Sequence, residues 1–122
     1  MPDLAVEYPE FARPEPPTDK GHESISLRPP GYRSAFVEPG LLPLLRETLG
    51  VIHLVIGGIA TSGAVLGTAV QGSDLDLVVS VVEDAVWDPN DEVHRGLMDT
   101  IFPSLAWVAT TEQVVGYFQS SG

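Results

Sequence analysis

Apolar residues follow two different periods along the chain, and each marks a kind of element. The run Val51-Ile52-His53-Leu54-Val55-Ile56 is continuously apolar apart from His53, which predicts a strand buried on both faces, as in a parallel sheet. Gly57-Gly58 leads out of it. Val65, Leu66, Ala69 and Val70 then share one helical face and predict a helix over 62–71, followed by a second strand over 77–82. Upstream, Leu41, Leu42, Leu44, Leu45 and Leu49 make a helical pattern, with Pro43 suited to its first turn and Gly50 placed to stop it. Downstream, Trp87-Asp88-Pro89-Asn90 is a turn cluster. Asp91 opens a helix to about residue 102, with Val93, Leu97 and Ile101 on one stripe, and Pro103 ends it. A last strand falls at 106–109, and Thr111 caps a final helix through residue 118. Helix and strand alternate, so the fold class is α/β with a parallel sheet flanked by helices.

The amino-terminal third has another texture. Eight of the eleven prolines fall in the first 40 residues, and proline fixes φ and removes a backbone donor, so an extended arm is predicted over 1–38 and the folded domain over 39–122. Within the arm Ile25-Ser26-Leu27 alternates as an edge strand does, and Tyr8, Phe11, Tyr32 and Phe36 are its candidate anchors.

Length and charge narrow the class. A chain of 122 residues has room for one hydrophobic core. Six basic against 17 acidic residues give a net charge of −11, and no Lys or Arg stands between Arg46 and Arg95. Such a surface repels a phosphate backbone, which excludes nucleic acid as an expected partner. The apolar stretch 51–70 is long enough for a bilayer, but its Gly-Gly break fits strand, turn and helix, so no membrane partner is expected. The first residues are acidic where a signal peptide is basic, and a cytoplasmic location is the expectation. The chain has no cysteine, which removes a disulfide framework, a thiolate metal site and a cysteine nucleophile together.

Candidate chemistry concentrates in Gly57-Gly58-Ile59-Ala60-Thr61-Ser62-Gly63-Ala64-Val65-Leu66, where a strand passes through a tight turn into a helix. Amide groups at a helix start can hold a developing oxyanion, and the helix dipole favours a thiolate there. An apolar strand, then Gly-Ile-Ala-Thr-Ser-Gly, one residue and Val-Leu, resembles the nucleophile turn of the isochorismatase-like cysteine hydrolases. Further pieces follow in that family's order: Ser34-Ala35-Phe36, Val82-Glu83-Asp84-Ala85, Pro89, Glu92-Val93-His94-Arg95, Phe102-Pro103 and Val108-Ala109-Thr110-Thr111. The resemblance extends over about 9–118 and covers the carboxy-terminal part of such a domain.

It implies a Rossmann-like three-layer fold, incomplete at the amino terminus because the family's aspartate-bearing first strand has no counterpart. It also implies hydrolysis of a small amide, ester or enol-ether substrate by a cysteine, a lysine and an aspartate. Here the cysteine slot is Ala64, and the lysine slot falls at about Pro30, between Arg28 and Arg33. The turn itself is retained, with Ile59, Ala60 and Gly63 as the substrate-binding positions and a cis peptide implied near Ile59-Ala60. The expectation is a degenerate site without turnover, needing no metal or cofactor, with a small-molecule substrate only if it is active. Without the lysine and aspartate, an Ala64→Cys thiol is expected to react faster than free cysteine without restoring turnover.

Two other readings compete. In a non-enzymatic accessory or assembly role, the chain pairs with a second copy or an active relative through its arm or an open sheet edge. In the other, Asp74 and Asp76 in Gly-Ser-Asp-Leu-Asp-Leu resemble a nucleotidyltransferase acidic pair, which on a strand would face one way and hold magnesium. The alternative for these two is a solvated helix-to-strand connection. His53 is expected in the core and Trp87 and Trp107 as packing anchors, with His94 and Arg95 on a surface helix.

Overall fold

The two apolar runs become neighbouring parallel strands, as their composition predicts. In the computed structural model, which describes residues 24–121, β1 (His53–Ile59), β2 (Val78–Trp87) and β3 (Trp107–Ala109) form a sheet in the order β1-β2-β3 with both pairs parallel. His53 stands beside Val78 and Ile56 beside Val81; the register then shifts before Gly58, which meets Val86. Gly58 has φ +126, a conformation that only glycine adopts without strain.

Between β1 and β2 the chain makes one wide π turn (Thr61–Val65) and then α2 (Leu66–Asp74), closing the parallel crossover. Before β1 lies α1 (Leu41–Pro43), continued by a π turn (Leu44–Thr48) and stopped by Gly50 at φ +64. After β2 come α3 (Asp91–Gly96), a π turn (Leu97–Ile101) and a 3-10 turn (Phe102–Ser104) holding Pro103. The last helix is α4 (Thr111–Ser121). No helix among the described residues is long and apolar enough to cross a membrane.

The pleat of β2 divides the molecule. Val79 and Val81 face α2 and form a core with Val65, Ala69, Val86, Met98 and Phe102. Phe36, buried in its 3-10 turn (Ala35–Val37), meets the same side at Gly72, where an added Cβ would lie 3.3 Å from Val79, 3.4 Å from Leu54 and 3.4 Å from Phe36. On the other side His53, Val55, Ser80 and Ala109 face α4 across a cavity of about 330 Å³.

Several expectations are corrected. Residues 25–27 form no strand and are exposed, as is Tyr32, while Tyr8 and Phe11 lie outside the described residues. Val70 is exposed, so the buried stripe of the 61–74 segment is narrower than its apolar pattern. On the 91–102 segment Val93 and Ile101 are exposed, and the buried row is Met98 and Phe102, reached by way of His94. The cap of α4 is Thr110, whose hydroxyl accepts from the Gln113 amide while the Thr110 amide donates to Gln113 Oε1, a reciprocal capping box. Trp87 and Trp107 are exposed at strand ends and anchor no core.

Candidate functional site

The strand-turn-helix junction is built from local backbone geometry. β1 ends at Ile59, the Ile59-Ala60 peptide is cis as the resemblance implied, and Ala60 is extended before the wide turn begins. The Ala60 carbonyl accepts from the amides of Gly63 at 3.0 Å and Val65 at 3.2 Å, which closes the turn onto its own first residue. Thr61 and Val65 point inward and are buried, while Ser62 is exposed and Gly63 and Ala64 are half-buried. Nothing stands within 4 Å of where a Cβ on Gly63 would be, so the turn is open on that side. Ile59 is 68% exposed and Ala60 half-buried. Position 64 therefore carries a methyl group at a half-buried helix start.

Two side chains fasten this turn, Asp88 from the β2-to-α3 connection and His94 from α3, and the sequence marks neither as a site residue. Asp88 Oδ2 accepts from the Ser62 hydroxyl at 2.6 Å and the Ser62 amide at 2.8 Å, and Oδ1 accepts from the Asn90 amide at 3.0 Å. These bonds, the Ser62 hydroxyl first, then the Asn90 and Ser62 amides, hold the carboxyl below its ordinary value, with a smaller contribution from the charge of His94. His94 Nδ1 lies 2.7 Å from the Thr61 hydroxyl, so this histidine of α3 reaches into the turn. The sequence signal at Asp88 is the Trp-Asp-Pro-Asn cluster, which marks a turn. It does not reveal a partner 26 residues away.

Of the remaining candidates, Pro30 lies in an exposed turn and offers no charge. Arg28 donates to the Arg33 carbonyl, and Arg33 Cβ and the Ser34 amide come within 3.0 and 3.1 Å of where a Cβ on Gly67 would be. The Ala35 amide donates to Thr68 Oγ1 at 2.9 Å. The Ser34-Ala35-Phe36 piece is thus docked on α2, about one turn beyond position 64. Asp74 ends α2 and Asp76 has φ +67 in the connection to β2, so these carboxylates do not share a strand face. The geometry required of an acidic metal pair is absent there. His53 is exposed, with Nε2 2.9 Å from Ser80 Oγ, and lines the open cavity instead of the core. Arg95 pairs on the surface with Glu83 at 3.4 Å and Asp99 at 3.5 Å.

The isochorismatase domain family matches residues 30–113. No curated protein matches the chain. Among solved structures, an isochorismatase family protein from Burkholderia thailandensis is 34% identical, covering 65% of this chain and 41% of its own, with a TM-score of 0.62. A nicotinamidase from Bacillus subtilis is 30% identical over 64% of this chain and 43% of its own, with a TM-score of 0.59. A cysteine hydrolase from Pseudomonas syringae shares the fold at 22% identity, with a TM-score of 0.68 over 75% of this chain and 47% of its own. The chain spans less than half the length of each of these structures. With the family matched over well over half of its residues, and a parallel α/β sheet carrying the strand-turn-helix junction, the chain belongs to the isochorismatase family.

Proposed function

We propose that this chain is an isochorismatase-family hydrolase relative in which the hydrolytic step is switched off at position 64. The observation that carries the reading is Ala64 itself. The turn and the helix after it are formed, and the residue that the resemblance assigns to the nucleophile has a methyl group, which forms no covalent intermediate. No cysteine elsewhere in the chain can stand in. Ile59, Ala60 and Gly63 frame an open approach that still suits a small carbonyl compound, and Pro30, at the approximate lysine position by resemblance, carries no cation. The purified chain, assayed with nicotinamide and with simple esters, should hydrolyse neither above the uncatalysed rate. Turnover that survives repurification and is lost on altering the turn would overturn the reading.

A second reading is supported by β1. Its outer edge has no strand beside it among the described residues, and Val55 and Ile59 are exposed along it. An uncharged open edge is the surface through which an accessory subunit would pair with a second copy or with an active relative. Light scattering tests this directly, and a monodisperse monomer, alone and mixed with an active relative, would remove it.

A further inference from the structure

The amides at the start of a helix normally point outward unpaired and, together with the dipole, make that end attractive to anions. Here that end is already occupied from within. Asp88, only 3% exposed, holds the Ser62 amide and hydroxyl, and the Gly63 and Val65 amides are turned onto the Ala60 carbonyl. A full negative charge therefore sits against the residue two positions before Ala64. Because it is buried, salt screens it far less than a surface carboxylate. The Thr61–His94 contact at 2.7 Å pins the adjoining residue, so the turn cannot readily swing away from Asp88.

We propose that Asp88 is a positioning residue of this turn that keeps a resident negative charge at the helix start, so that position 64 accepts neutral groups and disfavours anionic ones, a thiolate included. The inference rests on reading position 64 as the nucleophile slot, and it deepens that reading by naming the ligand class, a neutral carbonyl compound such as an amide over a free carboxylic acid. Asp88 works against the dipole. The activation that a bare helix start would give a thiol at position 64 is correspondingly reduced.

The experiment places a reporter in the slot. Ala64→Cys and Ala64→Cys/Asp88→Asn are titrated with iodoacetamide, which is neutral, and iodoacetate, which is anionic, across pH. Ala64→Cys/Asp74→Asn, altered at the far end of α2, controls for the loss of one unit of overall charge. The expected result is that Asp88→Asn lowers the pH midpoint of alkylation by about one pH unit. It should also bring the preference for iodoacetamide down toward that of free cysteine, while Asp74→Asn does neither. If the Asp88→Asn thiol is activated and the Ala64→Cys thiol is activated equally, the resident-charge proposal is overturned and the slot reading stands. If the thiol behaves as free cysteine even with Asp88→Asn, position 64 is not at a helix start of this kind and both fall. Circular dichroism checks folding of each variant. Should Asp88→Asn not fold, Asp88→Ser keeps a neutral oxygen acceptor at the same place and is read by the same criteria.

Discussion

β1 and β2 lie side by side in one sheet and are built from similar residues, yet they live in different surroundings. In β2, Val79, Ser80, Val81 and Val82 are all buried, whichever face they point to. In β1 burial alternates: Leu54 and Ile56 are half-buried toward α2, while His53 and Val55 are exposed toward α4. The difference lies in their neighbours. β2 has a strand on each edge and a helix over each face; β1 has one strand beside it among the described residues, with Leu54 near Gly72 of α2 and Ile56 against the core, while His53 and Val55 border the open cavity. Apolar composition fixes what a strand can bury, and its place in the sheet decides what it does bury.

The strongest test of that contrast uses one substitution in both strands. Val81→Ala removes methyl groups from a site with no exposure and should cost about 2–3 kcal/mol. Val55→Ala, next door on the open face, should cost well under about 1 kcal/mol because much of that side chain already meets solvent. Urea unfolding of both variants measures the difference. Equal losses would mean that β1 is as covered as β2.

The covered side can be probed where the chain crosses over it. At Gly67 an added Cβ would lie 3.0 Å from Arg33 Cβ and 3.1 Å from the Ser34 amide, so backbone must move to admit it. Gly67→Ala gains helix propensity yet should still lose about 1–2 kcal/mol, and hydrogen exchange should rise at Ala35, whose amide is held by Thr68. A stabilised variant would show that the 33–36 segment is not docked there.

Some of this was legible in the sequence. The strands and the turn were, because continuous apolar runs and a Gly-rich break are local signals. The buried row of the 91–102 segment was not. His94 stands in that row and bonds Thr61, so the more apolar stripe of Val93, Leu97 and Ile101 looked like the core face when the true face runs through Met98 and Phe102. Asp88 escaped for a related reason. Its role is defined by Ser62, brought to it only when β1 and β2 pair. His53 was misplaced because an apolar run alone does not tell a central strand from one with an open face.

Acid should separate the two carboxylates that hold connections together from the rest of the surface. The Thr111 amide, then the Thr111 hydroxyl, hold the Asp84 carboxyl below the ordinary value of 3.8, as the Ser62 and Asn90 donors do for Asp88. A carboxyl with a depressed folded value adds stability that is fully present above its unfolded value and disappears as pH falls through the folded one. The thermal midpoint should therefore be flat near neutrality and drop below about pH 4. Asp84→Asn with Asp88→Asn should weaken that pH dependence. An unchanged acid profile in the double variant would assign the loss to other groups.

The smallest expected effect on stability falls on the open strand. Val55→Lys places a charge on an exposed face of β1, where the long side chain can lie along the surface and keep its ammonium in water. The change should stay within about 0.5 kcal/mol, in contrast to any comparable substitution in β2. Its consequence is expected elsewhere. The segment between Glu47 and Asp74 carries no formal charge in a chain whose net charge is −11, so copies repel one another least along β1. A lysine beside an open edge is a device by which sheets discourage pairing with another strand. Light scattering at rising concentration should show association of the unaltered chain reduced by Val55→Lys at unchanged melting temperature. A large drop in melting temperature would instead mean that Val55 is packed against something, and that β1 resembles β2 more than its exposure indicates.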